Sequence, residues 1–188
     1  MIRTKEKIIN AAINCLNRNE AATIEEIANH IGITRRTIHR HFPDRTTLVQ
    51  CCMEKMMKIC NVAMNDAYQS SQEPLEQIEN MFYAAMGVGA EYSFVKKLYA
   101  RSAYKEVVEK QASASGFDNV KEKWFALITE LQKHNVIPSK LPLAWIYDLF
   151  GGMIDIAVAA QSSGDVAVND IRSLSWNAFK GSIGINNG

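Results

Sequence analysis

"GITRRTIHRHFPDR", residues 32–45, decides how this chain is read. Within fourteen residues it sets Arg35, Arg36, Arg40 and Arg45, with His39 and His41, around the apolar Ile33, Ile38 and Phe42. The whole 188-residue chain has a formal net charge of only +1, so this positive charge is local. Ile38 and Phe42 stand four apart, the spacing of one helical face, and Pro43 stops the run. Thr34 is placed to cap the start of that helix. Its other positions then carry Arg35, Arg36, Thr37, His39, Arg40 and His41, donors suited to phosphates and to guanine edges.

The preceding stretch, "TIEEIANHI", supplies a partner helix. Thr23 followed by Glu26 is a capping box and predicts a helix start at Thr23. Ile24, Ile27, Ala28 and Ile31 make its inward stripe, and Gly32 ends it with a permissive backbone. Ala28, Gly32 and Ile38 stand four and six apart. That spacing suits a helix-turn-helix: a small residue at the crossing, a glycine in the turn and a branched apolar residue on the second helix. An ordinary helical hairpin would also show a glycine between two stripes, but would not need the donor-rich exposed face. Upstream, "RTKEKIINAAINCLNR" puts Ile8, Ala12, Cys15 and Leu16 at helical spacing, widened by Ile9 and Ile13, with Thr4 as a cap. Arg3 and Lys5 either reach a phosphate backbone or form a solvated end.

Charge divides with position. Residues 1–50 hold eight Lys and Arg against five Asp and Glu, and the remainder holds 13 against 15. A basic head on a mildly acidic body suggests nucleic-acid binding by the head alone.

At these residues the sequence resembles the TetR family of bacterial transcriptional regulators. The resemblance lies in Ile8 to Ala12, Thr23 to Ala28, "GIT", "TIHRHF" and "DRTTL", and covers about the first fifty residues. It implies an all-α fold, with a three-helix DNA-binding domain over residues 1–45 and a helical ligand-binding and dimerisation domain over 46–188. It also implies roles for individual residues. Thr23 stands where the family places a hydroxyl near a phosphate. Thr34, Arg35, Arg36, Thr37 and Arg40 occupy the recognition helix. His39 replaces a tyrosine that touches a phosphate, and a histidine can donate there too. His41 and Phe42 match the family, and Arg45 replaces a common lysine while keeping its charge. Asn19 stands where the family has a glycine between the first two helices, and asparagine tolerates left-handed backbone.

The body reads as further helices. Val49, Met53, Met56, Cys60, Ala63 and Ala67 mark a long one from Arg45 to about Tyr68. Pro74 opens another through Leu75, Ile78, Phe82 and Met86, weakened at Gly87 and Gly89. One follows through Val95, Leu98, Tyr99 and Ser102, then a loop at "ASASG". Val120, Trp124, Leu127, Ile128 and Leu131 make the next stripe. "LAWIYDLFGGMIDIAVAA" is apolar almost all round. It is long enough to span a membrane, but Asp148 and Asp155 lie on one face, so a helix buried on several sides is expected. The last helix runs through Ile171, Leu174, Trp176, Ala178 and Phe179 to near Gly181. The resemblance implies that these last two helices pair with those of a second copy. Phe82, Met86, Tyr99, Trp124, Phe125, Ile128, Phe150 and Met153 are candidates to line an apolar ligand pocket, or equally to fill a core.

Other classes are disfavoured. There is no Ser/His/Asp set, metal-ligand cluster or phosphate-binding glycine loop, so neither an enzyme nor a metal or other cofactor is expected. Three of the four histidines fall in the head. Cys15, Cys51, Cys52 and Cys60 form no CxxC pair and read as small apolar residues, not as disulfides, a redox site or a zinc site. No signal-peptide pattern opens the sequence, which predicts a cytoplasmic protein. The expected function is a homodimeric regulator, a repressor released from a palindromic DNA operator by a small apolar or aromatic ligand. The alternative is a DNA-binding protein of the same fold whose body answers to another protein, or to nothing.

Overall fold

The helices start where side chains can satisfy their first backbone N–H groups. In a computed structural model the chain is described over residues 4–89, 91, 93 and 117–185, as eight helices with no strand among the described residues. The helices α1 (Thr4–Arg18), α2 (Ile24–His30) and α3 (Arg35–His41) form the head. The long α4 (Arg45–Gln69) leads to the body of α5 (Pro74–Gly87), α6 (Phe117–Lys133), α7 (Leu143–Ser163) and α8 (Val168–Ser182).

Thr23 caps α2 with the full reciprocal box. Its hydroxyl accepts from the Glu26 N–H, and the Glu26 carboxylate accepts from the Thr23 N–H at 2.6 Å. Thr34 caps α3 by accepting from the Thr37 N–H, and Asp44 caps α4 by accepting from the Thr47 N–H at 2.7 Å. Pro74 takes the first position of α5, where its missing N–H is no loss. The turn after α1 makes no use of the left-handed backbone that asparagine tolerates. Asn19 has no positive φ; its side-chain oxygen instead accepts from the Ala21 N–H at 3.0 Å and closes the turn that way.

The head encloses Ile8, Ala12, Leu16, Ile27, Ala28, Ile38, Phe42 and Leu48, each 5% exposed or less. The first half of α4 belongs to this packing. Lys55 donates to the Asn10 side chain at 2.7 Å and pairs with Glu6 at 3.5 Å, while the Cys52 thiol faces the Ile9 carbonyl. The far half of α4 is fixed to the body: Gln77 donates to the Tyr68 carbonyl, and Lys123 to an Asn65 side chain that bonds Asn61.

Aromatic rings fill the body. Phe82 stacks on Phe179 at 5.3 Å and meets Phe150 edge-on at 5.6 Å, and Phe150 meets Trp124 at 5.4 Å. Past the end of α5, Gly89 lies so close to Val158 of α7 that a methyl group there would collide with it. The helix expected around Val95 to Ser102 and the "ASASG" loop lie outside the described residues.

One expectation is corrected. The apolar α7 is not buried on several sides. It buries a single stripe, Ile146, Phe150, Gly151, Ile154 and Ala157, while Trp145 is 55% and Ile156 59% exposed. By length and composition α7 would suffice to cross a membrane; here its buried stripe packs on α5, α6 and α8. Hydropathy counts apolar residues and cannot tell which of them the same chain covers. On α8, likewise, Ile171, Trp176 and Phe179 are buried, but Leu174 is 57% exposed and Ala178 is exposed.

All four cysteines are free thiols. Burial pushes the Cys52 and Cys60 thiols up to about 12, which keeps them protonated and unreactive at neutral pH. No cluster of three metal-ligating side chains occurs among the described residues.

Candidate nucleic-acid interface

The α2–α3 turn sets the angle at which α3 is displayed. Gly32 has φ +67, the left-handed region. Its N–H bonds the Asn29 carbonyl, and the Ile33 N–H reaches back to the Ala28 carbonyl at 3.0 Å. This pair of bonds is the Schellman arrangement, which satisfies the last carbonyls of α2 and reverses the chain. Ile38 and Phe42 then anchor α3 to the core, and Ala28 lets the helices approach.

With those two residues turned inward, Arg35, Arg36, His39 and Arg40 are exposed on one short helix that has no acidic residue. Thr34, Arg36, Thr37, His39 and Arg40 line a shallow hollow on its surface. No ion pair among the described residues occupies Arg36 or Arg40. Their guanidinium groups are open to an external acceptor, at a spacing of four that puts both on one side of α3. Thr37 is half-buried, its hydroxyl 3.0 Å from that of Thr34. Arg35 donates through Nε to His39 Nε2 at 3.1 Å, and His39 Nδ1 lies 3.2 Å from the Pro43 carbonyl. Thr23 is exposed at the start of α2.

Two of the expected DNA-facing residues are placed differently from the rest. Arg45 turns back into the protein, donating to the Glu20 carbonyl at 2.6 Å and through Nε to the Ala22 carbonyl at 3.2 Å. It ties α4 to the α1–α2 loop. His41 is half-buried, and its Nε2 is enclosed without a hydrogen-bond partner.

Two groups that complete the head were missed. Asp44 carried a sequence signal, an acidic residue immediately before a helix. Lys55 carried none, because its partner Asn10 is 45 residues away.

Among the pocket candidates, Phe82, Trp124, Ile128 and Phe150 are fully buried and Met86 nearly so, while Phe125 and Met153 are half-buried. Phe82, Trp124 and Phe150 meet ring against ring as described. Phe125 meets Trp124 at 5.4 Å and Tyr147 at 5.3 Å, with the Lys121 ammonium over both outer rings. Tyr147 was not foreseen, although it lies three residues before Phe150 on the same helix. Tyr99 lies outside the described residues. The Trp124 Nε1 is buried without a partner.

A capped helix-turn-helix with a cationic second helix is the arrangement of a DNA-binding domain. Residues 8–51 match the family model described as bacterial regulatory proteins, tetR family. The repressor LfrR of Mycolicibacterium smegmatis, described as an HTH-type transcriptional repressor, is 24% identical over 162 residues, 86% of this chain and 81% of that one. Among solved structures, the ketosteroid transcriptional regulator KstR2 of Mycobacterium tuberculosis superposes with a TM-score of 0.74 at 14% identity, covering 100% of this chain and 97% of that one. LfrR from Mycobacterium smegmatis in complex with proflavine superposes with a TM-score of 0.63 at 19% identity, covering 100% and 99%. Over residues 8–51, then, the chain matches the tetR family of bacterial regulatory proteins, and its overall fold is that of the solved regulators.

Proposed function

We propose that the chain is a cytoplasmic, homodimeric repressor that pairs through α7 and α8 and leaves a palindromic operator when a small apolar or aromatic ligand occupies its body. The observation that carries the dimer is the outer stripe of α7. Trp145, Leu149, Gly152 and Ile156 recur at intervals of four, three and four, which places them on one face, apart from the buried stripe. Leu174, Ala178 and Gly181 repeat the pattern on α8. Apolar stripes left wholly or partly uncovered on two adjacent helices suit an isologous interface, and two-fold symmetry pairs two heads with two half-sites.

The head reads DNA through Arg36, Arg40, Arg35 and Thr37 of α3, with Thr34 and Thr23 at the helix starts. Arg45 acts behind it, tying α4 to the α1–α2 loop, while His41 lies half-buried. An aromatic ligand is supported by the complex of LfrR, a protein of the same fold, with proflavine. Such a ligand releases DNA only if it binds the DNA-free arrangement more tightly. Tenfold preference supplies about 1.4 kcal/mol of coupling, and operator must then weaken the ligand by the same factor.

The test is to select a duplex from a random library, then titrate it with and without a binder found by thermal-shift screening that begins with proflavine. Mutual weakening of duplex and binder supports the proposal. Equal affinities in both arms show a passenger ligand, and return the body to control by a protein partner.

A further inference from the structure

The proton on His39 can be placed from its neighbours. A guanidinium only donates, so Arg35 Nε–H at 3.1 Å requires a lone pair on His39 Nε2. A carbonyl only accepts, so the Pro43 oxygen at 3.2 Å requires the hydrogen on Nδ1. Both contacts fit one tautomer, with the hydrogen on Nδ1 and the lone pair on Nε2. They also occupy both ring nitrogens, and leave no spare N–H for a phosphate. Pro43 sits just beyond the Phe42 anchor, so the chain turn that ends α3 is also what holds the ring.

We propose that His39 is a positioning residue that acts through Arg35: it accepts the Arg35 Nε–H, lays the guanidinium along α3 and leaves the two terminal amino groups directed at DNA. The proposal rests on α3 being the DNA-reading helix. The advantage is pre-organisation. An arginine is rich in rotamers, and ordering it before docking removes part of the entropy lost on binding. His39 therefore differs from Arg36 and Arg40, whose guanidinium groups have no such support.

The experiment uses the full chain, with the most enriched duplex from a random library and a random duplex as probes. His39→Phe removes the acceptor and should weaken the enriched duplex roughly threefold to tenfold. His39→Gln restores an acceptor for Arg35 and a donor for Pro43, and should recover most of that loss. The Arg35→Ala/His39→Phe double variant should be no weaker than Arg35→Ala alone, because the two residues act as one unit. The salt dependence of His39→Phe should match wild type, since no phosphate contact is lost with the ring itself. In the 15N spectrum of the free protein, His39 should carry its hydrogen on Nδ1, the less common tautomer in water.

Additive losses, with a smaller salt slope on both duplexes, would show that His39 itself holds a phosphate, and would overturn the proposal. A hydrogen on Nε2 would overturn it as well. A wild-type chain that enriches no duplex removes the DNA-reading role of α3 and the proposal with it, and is distinguished by leaving the tautomer as described.

Discussion

Gly152 offers a direct probe of the outer face of α7. It lies on the stripe with Trp145, Leu149 and Ile156, and among the described residues a Cβ added there meets no atom beyond its own stretch of helix within 4 Å. Gly152→Leu therefore adds a side chain into open space in the isolated subunit. Exchanging a mid-helix glycine for a strong helix former should stabilise that subunit by about 0.5–1 kcal/mol. In a dimer closed through α7 and α8 the same side chain enters an already packed interface. Overpacking costs about 1–3 kcal/mol per site. Two-fold symmetry counts it twice, giving about 2–6 kcal/mol against association. At about 1.4 kcal/mol per tenfold, the dimer should weaken roughly 30-fold to 10⁴-fold. Sedimentation equilibrium over a dilution series reads the association constant, and circular dichroism reads the helix content and melting of the variant. The expected result is a folded monomer at concentrations where wild type is dimeric. An unchanged association constant would place Gly152 outside the interface. An unfolded variant would contradict the open space around it.

Three further outcomes are expected. Arg36→Ala and Arg40→Ala should each weaken operator binding by about 1–3 kcal/mol with unchanged melting, and relax preference at one base pair; unchanged titrations against selected and random duplex would dismiss the docking of α3. Gly32→Ala should destabilise the head by about 1–2 kcal/mol without any clash, because the cost of φ +67 is purely conformational; a denaturant midpoint equal to wild type would refute the turn. The Glu26 carboxyl is held below its ordinary 4.5 by the Thr23 backbone N–H and hydroxyl, and the Asp44 carboxyl below 3.8 by the Thr47 N–H. Depressed carboxyls contribute fully above these ordinary values and lose their contribution as pH falls through them to the lower folded values. Melting temperature should thus drop on acidification below about pH 4.5, less steeply in a Glu26→Gln/Asp44→Asn variant; identical slopes would show that other groups carry the acid loss.

The head was legible because its signals are local. The Thr23–Glu26 box, the Gly32 turn, the Thr34 cap and the Pro43 stop each lie within a few residues of what they control. The display of Arg35, Arg36 and Arg40 followed once Ile38 and Phe42 were turned inward. Arg45 was harder to read, because its charge is local but its acceptors, the Glu20 and Ala22 carbonyls, arrive from 25 and 23 residues away. His41 shows the same limit: a helical position does not reveal that one ring nitrogen will be enclosed. In the body, the stripes of α5 and α6 fell where periodicity placed them. The outer face of α7 did not, since an apolar residue reads alike whether its own chain or another surface is to cover it.

The long helix α4 joins head and body, and in the proposed repressor it would serve as the shaft of a lever. At one end Arg45 clamps the α1–α2 loop and Lys55 clamps α1. At the other, Gln77 and Lys123 hold the final turns. At about 1.5 Å per residue its 25 residues span roughly 37 Å. A tilt of about 5° around the body end would sweep the head through roughly 3 Å over that length, and two heads swinging oppositely would change their separation by roughly 6 Å. Successive turns of the major groove repeat every 34–36 Å or so. Because the clamps at Arg45 and Lys55 leave the head little freedom to swivel on its shaft, such a displacement would reach the DNA almost undiminished, and a rotation too small to disturb any single helix contact would suffice to put the second reading helix out of step.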